Sequence, residues 1–320
     1  MRTITLPGVA FPVSEFCLGT AYFGSRENEE VTFACLDYYY GQGGRFLNTA
    51  HEYGGGASER VLGKWMRERG VRHEMVVTSK CGEDRKRSNA KAMRREELFE
   101  DIDETLSRMG YDYVDFYLLH LDDEEVPVEE IITAMADIKR AGKIRHYGCS
   151  NWSVERMREA DAVADRTGIE RFVVNEIEAN LAKLTTVNAE SVIKWLDEEY
   201  IAYHGETQMA AGAYSPLAGG AFTKLIRDGN TDAWNEHLKK VYNLPCNFET
   251  ARRIAAVSKV TGYTPAQVQI GFFCAQPYPF PAFPIVGART LDQLKDTLAG
   301  TRCTLDRNII DYLMMRSDML

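Results

Sequence analysis

The chain is short of several things, and each scarcity narrows its class. No run of about 18 apolar residues occurs, so no helix is expected to span a bilayer. The opening Met1–Gly8 carries one arginine and no apolar stretch of signal-peptide length. Positive charge is in deficit: 38 Lys and Arg stand against 47 Asp and Glu, a net −9. A diffusely acidic surface repels phosphate backbones, which argues against a nucleic-acid partner. Cysteine is present but unorganised: Cys17, Cys35, Cys81, Cys149, Cys246, Cys274 and Cys303 form no C-x-x-C pair and no zinc-ribbon spacing. They read as reduced thiols of a cytoplasmic protein, with no metal site expected from them. No Pro/Gly/Ser linker and no sustained charge run divides the chain, so residues 1–320 are expected to form one domain.

What the chain does have is a period. Short apolar runs lie at Phe16–Gly19, Arg45–Asn48, Met75–Thr78, Tyr113–Leu119, His146–Cys149, Phe172–Val174, Ala210–Tyr214 and Ala282–Val286. Between most of them apolar residues recur three and four apart, as at Leu98, Ile102, Leu106 and Met109, and again at Val128, Ile131, Met135 and Ile138. Gly110 is placed to close the first of these helices, Pro127 to open the second, Ser153 to cap a third and Thr264-Pro265 to open a fourth. Strand–helix units repeating in this way imply parallel strands joined by right-handed crossovers. Eight of them predict an α/β chain folded as a (β/α)8 TIM barrel, with an open doubly wound sheet as the competing reading. The start, Thr3–Leu6 and Ala10–Val13 around Pro7-Gly8, alternates like an N-terminal β-hairpin that could plug the bottom of a barrel. The period breaks between Pro216 and Pro284, where an extra substrate loop is expected.

A barrel places its chemistry at the C-terminal ends of its strands. Reading those ends gives Asn48 and Tyr53, Lys80, His120, Ser150 and Asn151, Glu176, Tyr214-Ser215, and Gly287-Ala288-Arg289. A Tyr, a Lys and a His meeting at one rim make a proton-transfer site. A cationic Lys favours the phenolate, and a His can orient an oxygen held against the phenol. Singly, each has a plainer explanation: a packing Tyr, a surface Lys, a core His bonded to backbone. Their occurrence at successive strand ends favours the site.

The same residues carry a resemblance. Asn-Thr-Ala-His-Glu-Tyr-Gly at 48–54 with Ser58-Glu59, then Val77–Lys80, Tyr113–His120, Gly142–Arg145 running into Gly148–Trp152, Ala213–Ala218 and Ile285–Arg289 resemble the aldo/keto reductase superfamily. The likeness runs from Leu18 to about Asp296. His120–Asp123 and Gly205–Met209 are similar to a bacterial branch associated with carbohydrate metabolism. The resemblance implies a nicotinamide cofactor bound without a Rossmann fold, and hydride transfer between it and a carbonyl carbon. It implies Tyr53 as general acid and base, Lys80 tuning it, and His120 orienting the substrate oxygen. Ser150 and Asn151 would bond the carboxamide and Tyr214 would stack on the ring. Gly19 and Thr20 would lie near the cofactor, with Ser215, Leu217 and the Gly287, Ala288, Arg289 turn on pyrophosphate and adenosine.

Two positions depart from the family pattern. The family's catalytic Asp is Asn48, so Lys80 lacks the usual counter-ion and either sheds its proton or stays cationic; on this basis Asn48→Asp is expected to raise turnover. The family's Gln is Glu176, which keeps an acceptor for the carboxamide, adds negative charge, and is a candidate substitute for the missing carboxylate. NADP(H) is expected through Arg289, with NAD(H) as the alternative, since Gln293 and Thr297 stand where basic or amide residues are common. The leading reading is an oxidoreductase acting on an aldehyde, ketone or sugar-like hydroxyl, a small-molecule substrate. The alternatives are a cofactor-binding regulatory or accessory protein with weak turnover, and a metal-dependent hydrolase using His51, His120, Asp122 and Asp123. Substrate-determining loops are expected after Gly19, around Tyr22-Phe23, near Lys86-Arg87 and in the 221–248 insertion; Tyr22, Phe23, Trp152 and Trp234 are aromatic candidates for a pocket wall, with core or surface packing the alternative for each. Oligomeric state has no signature.

Overall fold

A computed structural model describes residues 1–84, 90–185 and 193–320; Lys86 and Arg87 lie outside the described residues. Eight parallel strands close into a barrel, each followed by helix. A hairpin of β1 (Thr3–Ile4) and β2 (Val13–Ser14) comes first, then β3 (Cys17–Gly19), α1 (Glu29–Gly41), β4 (Phe46–Asn48), α2 (Ala57–Arg69) and β5 (Val76–Cys81). A short antiparallel pair, β6 (Glu83–Asp84) and β7 (Ala90–Lys91), precedes α3 (Arg95–Met109). Next come β8 (Val114–Leu119), α4 (Val128–Arg140), β9 (Ile144–Ser150), α5 (Val154–Thr167), β10 (Val174–Glu178), α6 (Glu198–Thr207) and β11 (Ala210–Tyr214). Four helices follow: α7 (Ala221–Asp228), α8 (Glu236–Tyr242), α9 (Pro245–Thr261) and α10 (Pro265–Cys274). Strand β12 (Ala282–Gly287), α11 (Leu291–Ala299) and α12 (Arg307–Leu313) complete the chain. The order β3-β4-β5-β8-β9-β10-β11-β12 closes through Val286 beside Leu18 and Gly287 beside Gly19, which excludes the open sheet.

The strands read as near-continuous apolar runs because helices cover one face and the barrel interior the other. All six residues of β8 are buried, including Asp115, whose Oδ2 accepts from Val77 N (2.9 Å) and pairs with Arg72 (3.1 Å). The helix signals act as their chemistry requires. Ser153 accepts from Arg156 N, Thr264 and Gln267 cap each other reciprocally, and Gly110 takes the left-handed conformation that ends α3. Gly63 lets α2 pack on α3, since a Cβ there would lie 2.2 Å from Met109 O. The hairpin is shorter than expected. Even so, Leu6, Val9 and Val13 form one buried cluster with Phe46, Phe116, Val174 and Phe283, below the barrel.

Two expectations shift. The sixth strand starts where its apolar run stops, because Asn175, Glu176 and Glu178 are buried within it against polar partners. The insertion after β11 is a packed helical unit rather than an open loop: Phe222, Leu225, Trp234, Leu238 and Val241 share a core with α9 and α10. No helix among the described residues is long and apolar enough to cross a membrane.

One buried group ties this fold to pH. His204 of α6 lies against Met209 O (2.7 Å, Nδ1) and Asn175 Nδ2 (3.3 Å, Nε2), an arrangement that suits neutral imidazole. Burial pushes its pKa down to about 4, against the backbone bond that favours charge. Because the folded value lies below the unfolded one near 6.5, stability is full above about pH 6.5 and falls as pH drops towards 4. A loss of about 3 kcal/mol across that window is expected. Urea unfolding of His204→Gln from pH 7 to pH 4 should show a correspondingly flatter profile than the wild type.

Candidate active site

The site begins with how the loop after β4 is held. Ser58, at the start of α2, donates to Thr20 O (3.0 Å) and sits 2.7 Å from Thr20 Oγ1 and 2.8 Å from Thr49 Oγ1. Glu59 is fully buried; its Oε1 accepts from Ser79 and Thr105 hydroxyls (2.8 Å each) and its Oε2 pairs with Arg108 (2.9 Å). Arg108 also donates to His51 O (3.0 Å) and contacts Glu104. The loop carrying Tyr53 is thereby tied to β3, β5 and α3.

Around it, buried Asn48, Lys80 and Glu176 and half-buried Tyr53 form one network. Lys80 Nζ donates to Asn48 Oδ1 (2.7 Å), Thr49 O (3.0 Å) and Tyr53 Oη (3.3 Å), and lies 3.2 Å from Glu176 Oε2. Asn48 Nδ2 in turn donates to Glu176 Oε1. Lys80 is 2% exposed, and burial pushes its pKa down. The Glu176 carboxylate and then Tyr53 outweigh that, so the ammonium sits above its ordinary value. Of the two outcomes open to Lys80 without an aspartate at 48, the geometry supports the cation, with β10 supplying the charge.

His120 follows β8. Its ring meets Tyr53 edge-on at 5.8 Å, and its Nδ1 lies 2.8 Å from Glu83 Oε1. Burial pushes the Glu83 carboxyl up, but His120, Lys80 and His51 outweigh this and hold it below the usual carboxylate range. Nothing in the sequence pattern marks Glu83, whose partner lies just past the end of β8. Glu178 was equally hidden: Tyr242 of α8 donates to it (2.5 Å), and burial raises its pKa. The only cue was a polar residue inside a strand.

At the neighbouring strand ends, Tyr214 Oη donates to Asn151 Oδ1 (2.7 Å). Asn151 Nδ2 donates to Ser150 Oγ (3.0 Å) and His120 O (3.3 Å). Asn151, Ser215 and Ala218 hold φ of 60°, 52° and 48°, left-handed backbone that costs non-glycine residues energy and clusters at functional sites. Gly19 and Thr20 have structural reasons to be present: a Cβ on Gly19 would lie 3.2 Å from Ile285 Cγ2, and Thr20 Oγ1 bonds Asn48 O (2.9 Å). Leu217 packs against the main core. Beyond Gly287 and the buried Ala288, Arg289 is exposed, pairs with Glu27 (3.1 Å), and approaches the Tyr22 ring. These strand ends offer a dinucleotide the Ser150 hydroxyl and Asn151 amide, the Tyr214 ring, left-handed backbone at Ser215 and Ala218 and the Arg289 cation at the far end, a set of groups whose chemistry fits it.

Three of the four aromatic pocket candidates are core residues: Phe23, Trp152 and Trp234 are buried, and both indoles donate to backbone, at Leu121 O and Ala221 O. The groups proposed for a metal hydrolase do not converge. Asp122 holds Arg156 through two bonds (2.9 Å each), His51 faces Asp101 and Glu104, and His120 faces Glu83. Among the described residues no cluster of three His, Cys, Asp or Glu could hold a metal.

The model of the Aldo/keto reductase family matches residues 15–314. The chain belongs to that family. It is 27% identical to "Uncharacterized oxidoreductase YrpG" of Bacillus subtilis, over 94% of this chain and 91% of that protein. It is 26% identical to "Versiconal hemiacetal acetate reductase" of Aspergillus parasiticus, over 94% and 92%. A "Putative voltage-gated potassium channel subunit beta" of Schizosaccharomyces pombe is 28% identical over 89% and 84%. The crystal structure of the thermostable aldo-keto reductase Tm1743, in complex with the inhibitor epalrestat, superposes with a TM-score of 0.75 at 22% identity, covering 99% of this chain and all of that one. As an aldo/keto reductase family barrel, the chain brings Asn48, Tyr53, Lys80 and Glu176 into one network at the C-terminal ends of its strands, with His120 beside it.

The Glu59–Arg108 pair underlies this geometry. Removing the cation alone strands a buried carboxylate, so Arg108→Met should cost about 3–5 kcal/mol in chemical unfolding. A loss under about 1 kcal/mol would show that the pair behaves like a surface contact.

Proposed function

We propose that the protein is an NAD(P)-dependent oxidoreductase interconverting a carbonyl, whether aldehyde, ketone or sugar-derived, and its alcohol. The observation that carries this reading is the buried, ion-paired Lys80 ammonium donating to Tyr53 Oη at 3.3 Å. Tyr53 gives its proton to the carbonyl oxygen in reduction and takes the alcohol's proton in oxidation. Lys80 stabilises the phenolate in both directions, and His120 orients the substrate oxygen. A bound nicotinamide supplies or accepts the hydride. Ser150, Asn151 and Glu176 are assigned to its carboxamide, Tyr214 to its ring face, and Ser215, Leu217, Gly287, Ala288 and Arg289 to the pyrophosphate and adenosine, with Gly19 and Thr20 alongside. Residues from Asn48 to Arg289 contribute, which supports reading 1–320 as one domain. Seven free cysteines suit a reducing, cytoplasmic setting.

The sugar-like part of the substrate range rests on His120–Asp123 and Gly205–Met209. Asp122 holds Arg156, and Gln208 turns the end of α6, donating to Gly205 O and Pro279 O. Those side chains serve the fold, so the proposal stands on carbonyl chemistry in general. The likeness to channel β-subunits keeps an accessory role as the second reading. Its premise was a missing carboxylate, which Glu176 supplies.

Turnover of an aromatic aldehyde with NADPH or NADH should fall about 10²–10⁴-fold in Tyr53→Phe; binding of either cofactor without any turnover would favour the accessory role. The Asn48–Glu176 contact reverses the expectation for Asn48→Asp. A second carboxylate against Glu176 forces the pair to share a proton, so the single variant should lose activity. Glu176→Gln should lose it too, and Asn48→Asp combined with Glu176→Gln should restore most of it. A single Asn48→Asp that outpaces wild type would show that Glu176 does not carry the counter-charge.

NADP(H) is the proposed cofactor, through Arg289, with NAD(H) the alternative. Glu27 competes with a phosphate for that guanidinium. Glu27→Gln should therefore tighten NADPH by about fivefold and leave NADH unchanged in fluorescence titrations. Equal effects on both would remove Arg289 from phosphate recognition.

A further inference from the structure

We propose that Glu83 is a positioning residue that keeps the Nδ1 proton on His120, so that the ring's open nitrogen, Nε2, is an acceptor whenever the imidazole is neutral and a donor only as imidazolium. This rests on the reading that a substrate oxygen lies against His120. A neutral imidazole has one N–H, and its place is set by what the other nitrogen meets. Here Nδ1 meets Glu83 Oε1 at 2.8 Å, while Nε2 makes no hydrogen bond to any described protein group. An ionised carboxylate accepts and cannot donate, so the nitrogen facing it must carry the hydrogen.

The surroundings keep Glu83 ionised. Lys80 faces it from β5 and His51 from the loop after β4. Asp101 of α3 accepts from Gly82 N (2.9 Å), fixing the backbone beside Glu83, and lies 3.5 Å from His51 Nδ1, with Glu104 3.0 Å from His51 Nε2. Tyr53 faces the His120 ring itself.

The consequence concerns pH. A carbonyl oxygen is helped by a second donor, which Nε2 provides only in the imidazolium. Both directions pass through one transition state, so the imidazolium favours reduction and oxidation alike. Loss of the His120 proton therefore lowers the efficiency of both directions by the same factor. His120 itself transfers none, since the transferred proton stays with Tyr53.

Nitrogen-15 NMR of the imidazoles in the full chain, assigned with His120→Gln, reads the tautomer without any turnover. Wild type should show neutral His120 protonated at Nδ1; protonation at Nε2 would overturn the proposal. Kinetics give the second arm. Reduction efficiency in wild type should fall about tenfold as pH rises through the point where NMR sees His120 lose its proton, and oxidation should show the same step superposed on its own rise with pH. In Glu83→Gln, whose amide can also donate to Nδ1, Nε2–H becomes available to the neutral ring and the reduction step should shrink to under about twofold. A step unchanged in Glu83→Gln and equally in Glu83→Ala would overturn the assignment of Glu83. If wild type turns over no carbonyl with either nicotinamide, the functional reading fails, while the tautomer measurement still decides this one.

Discussion

A buried ammonium needs an anion, and the centre of this barrel is arranged around that need. Lys80 is enclosed at the strand ends, where an isolated cation would shed its proton rather than remain charged. Glu176, reaching across from β10, makes the charged form the stable one, and Asn48 bridges the pair with its carbonyl towards Lys80 and its amide towards Glu176. The three hydrogens of the ammonium are shared among Asn48 Oδ1, Thr49 O, Glu176 and Tyr53 Oη, so the phenol lies within reach of a cation that is already held in place. The chemistry proposed for the phenol depends on this neutral sum of charges. The same sum explains why position 48 tolerates an amide: an acid on β4 and an acid on β10 would repel each other across the same contact.

That arrangement survives only if the loops stay in place, and here the fold contributes a second buried pair. Ser58 and Glu59 sit in the first turn of α2, yet their partners lie on β3, β5 and α3. The residues that look most like part of a reactive motif are thus structural, clamping the segment that carries His51 and Tyr53. Glu83 and Glu178 show the converse. Each is an acid with no sequence signature, and each meets a polar ring from another element at the mouth of the barrel. Carboxylates recur around this rim although the molecule is already acidic overall, because each answers a particular donor.

Much of the architecture was legible along the chain. Strand positions, helix caps at Ser153, Thr264 and Gly110, and the hairpin depend on interactions within a few residues, or on an apolar period that burial imposes directly. The sixth strand was misplaced because its polar residues are buried against partners that local pattern does not reveal. The choice between pocket wall and core was open for a related reason: Phe23, Trp152 and Trp234 obey the same apolar rule as any core residue, and only packing placed them in the core.

The apolar period was enough to imply strand–helix units and the set of residues delivered to one rim, since parallel strands all end on the same side; closure of the barrel came with the pairing of β12 and β3. Only tertiary structure decided which of those residues pair. Asn48 and Glu176 are 128 residues apart in the chain. Whether Lys80 keeps its proton depends on distances across the barrel mouth, which are fixed by strand register and closure rather than by any local signal.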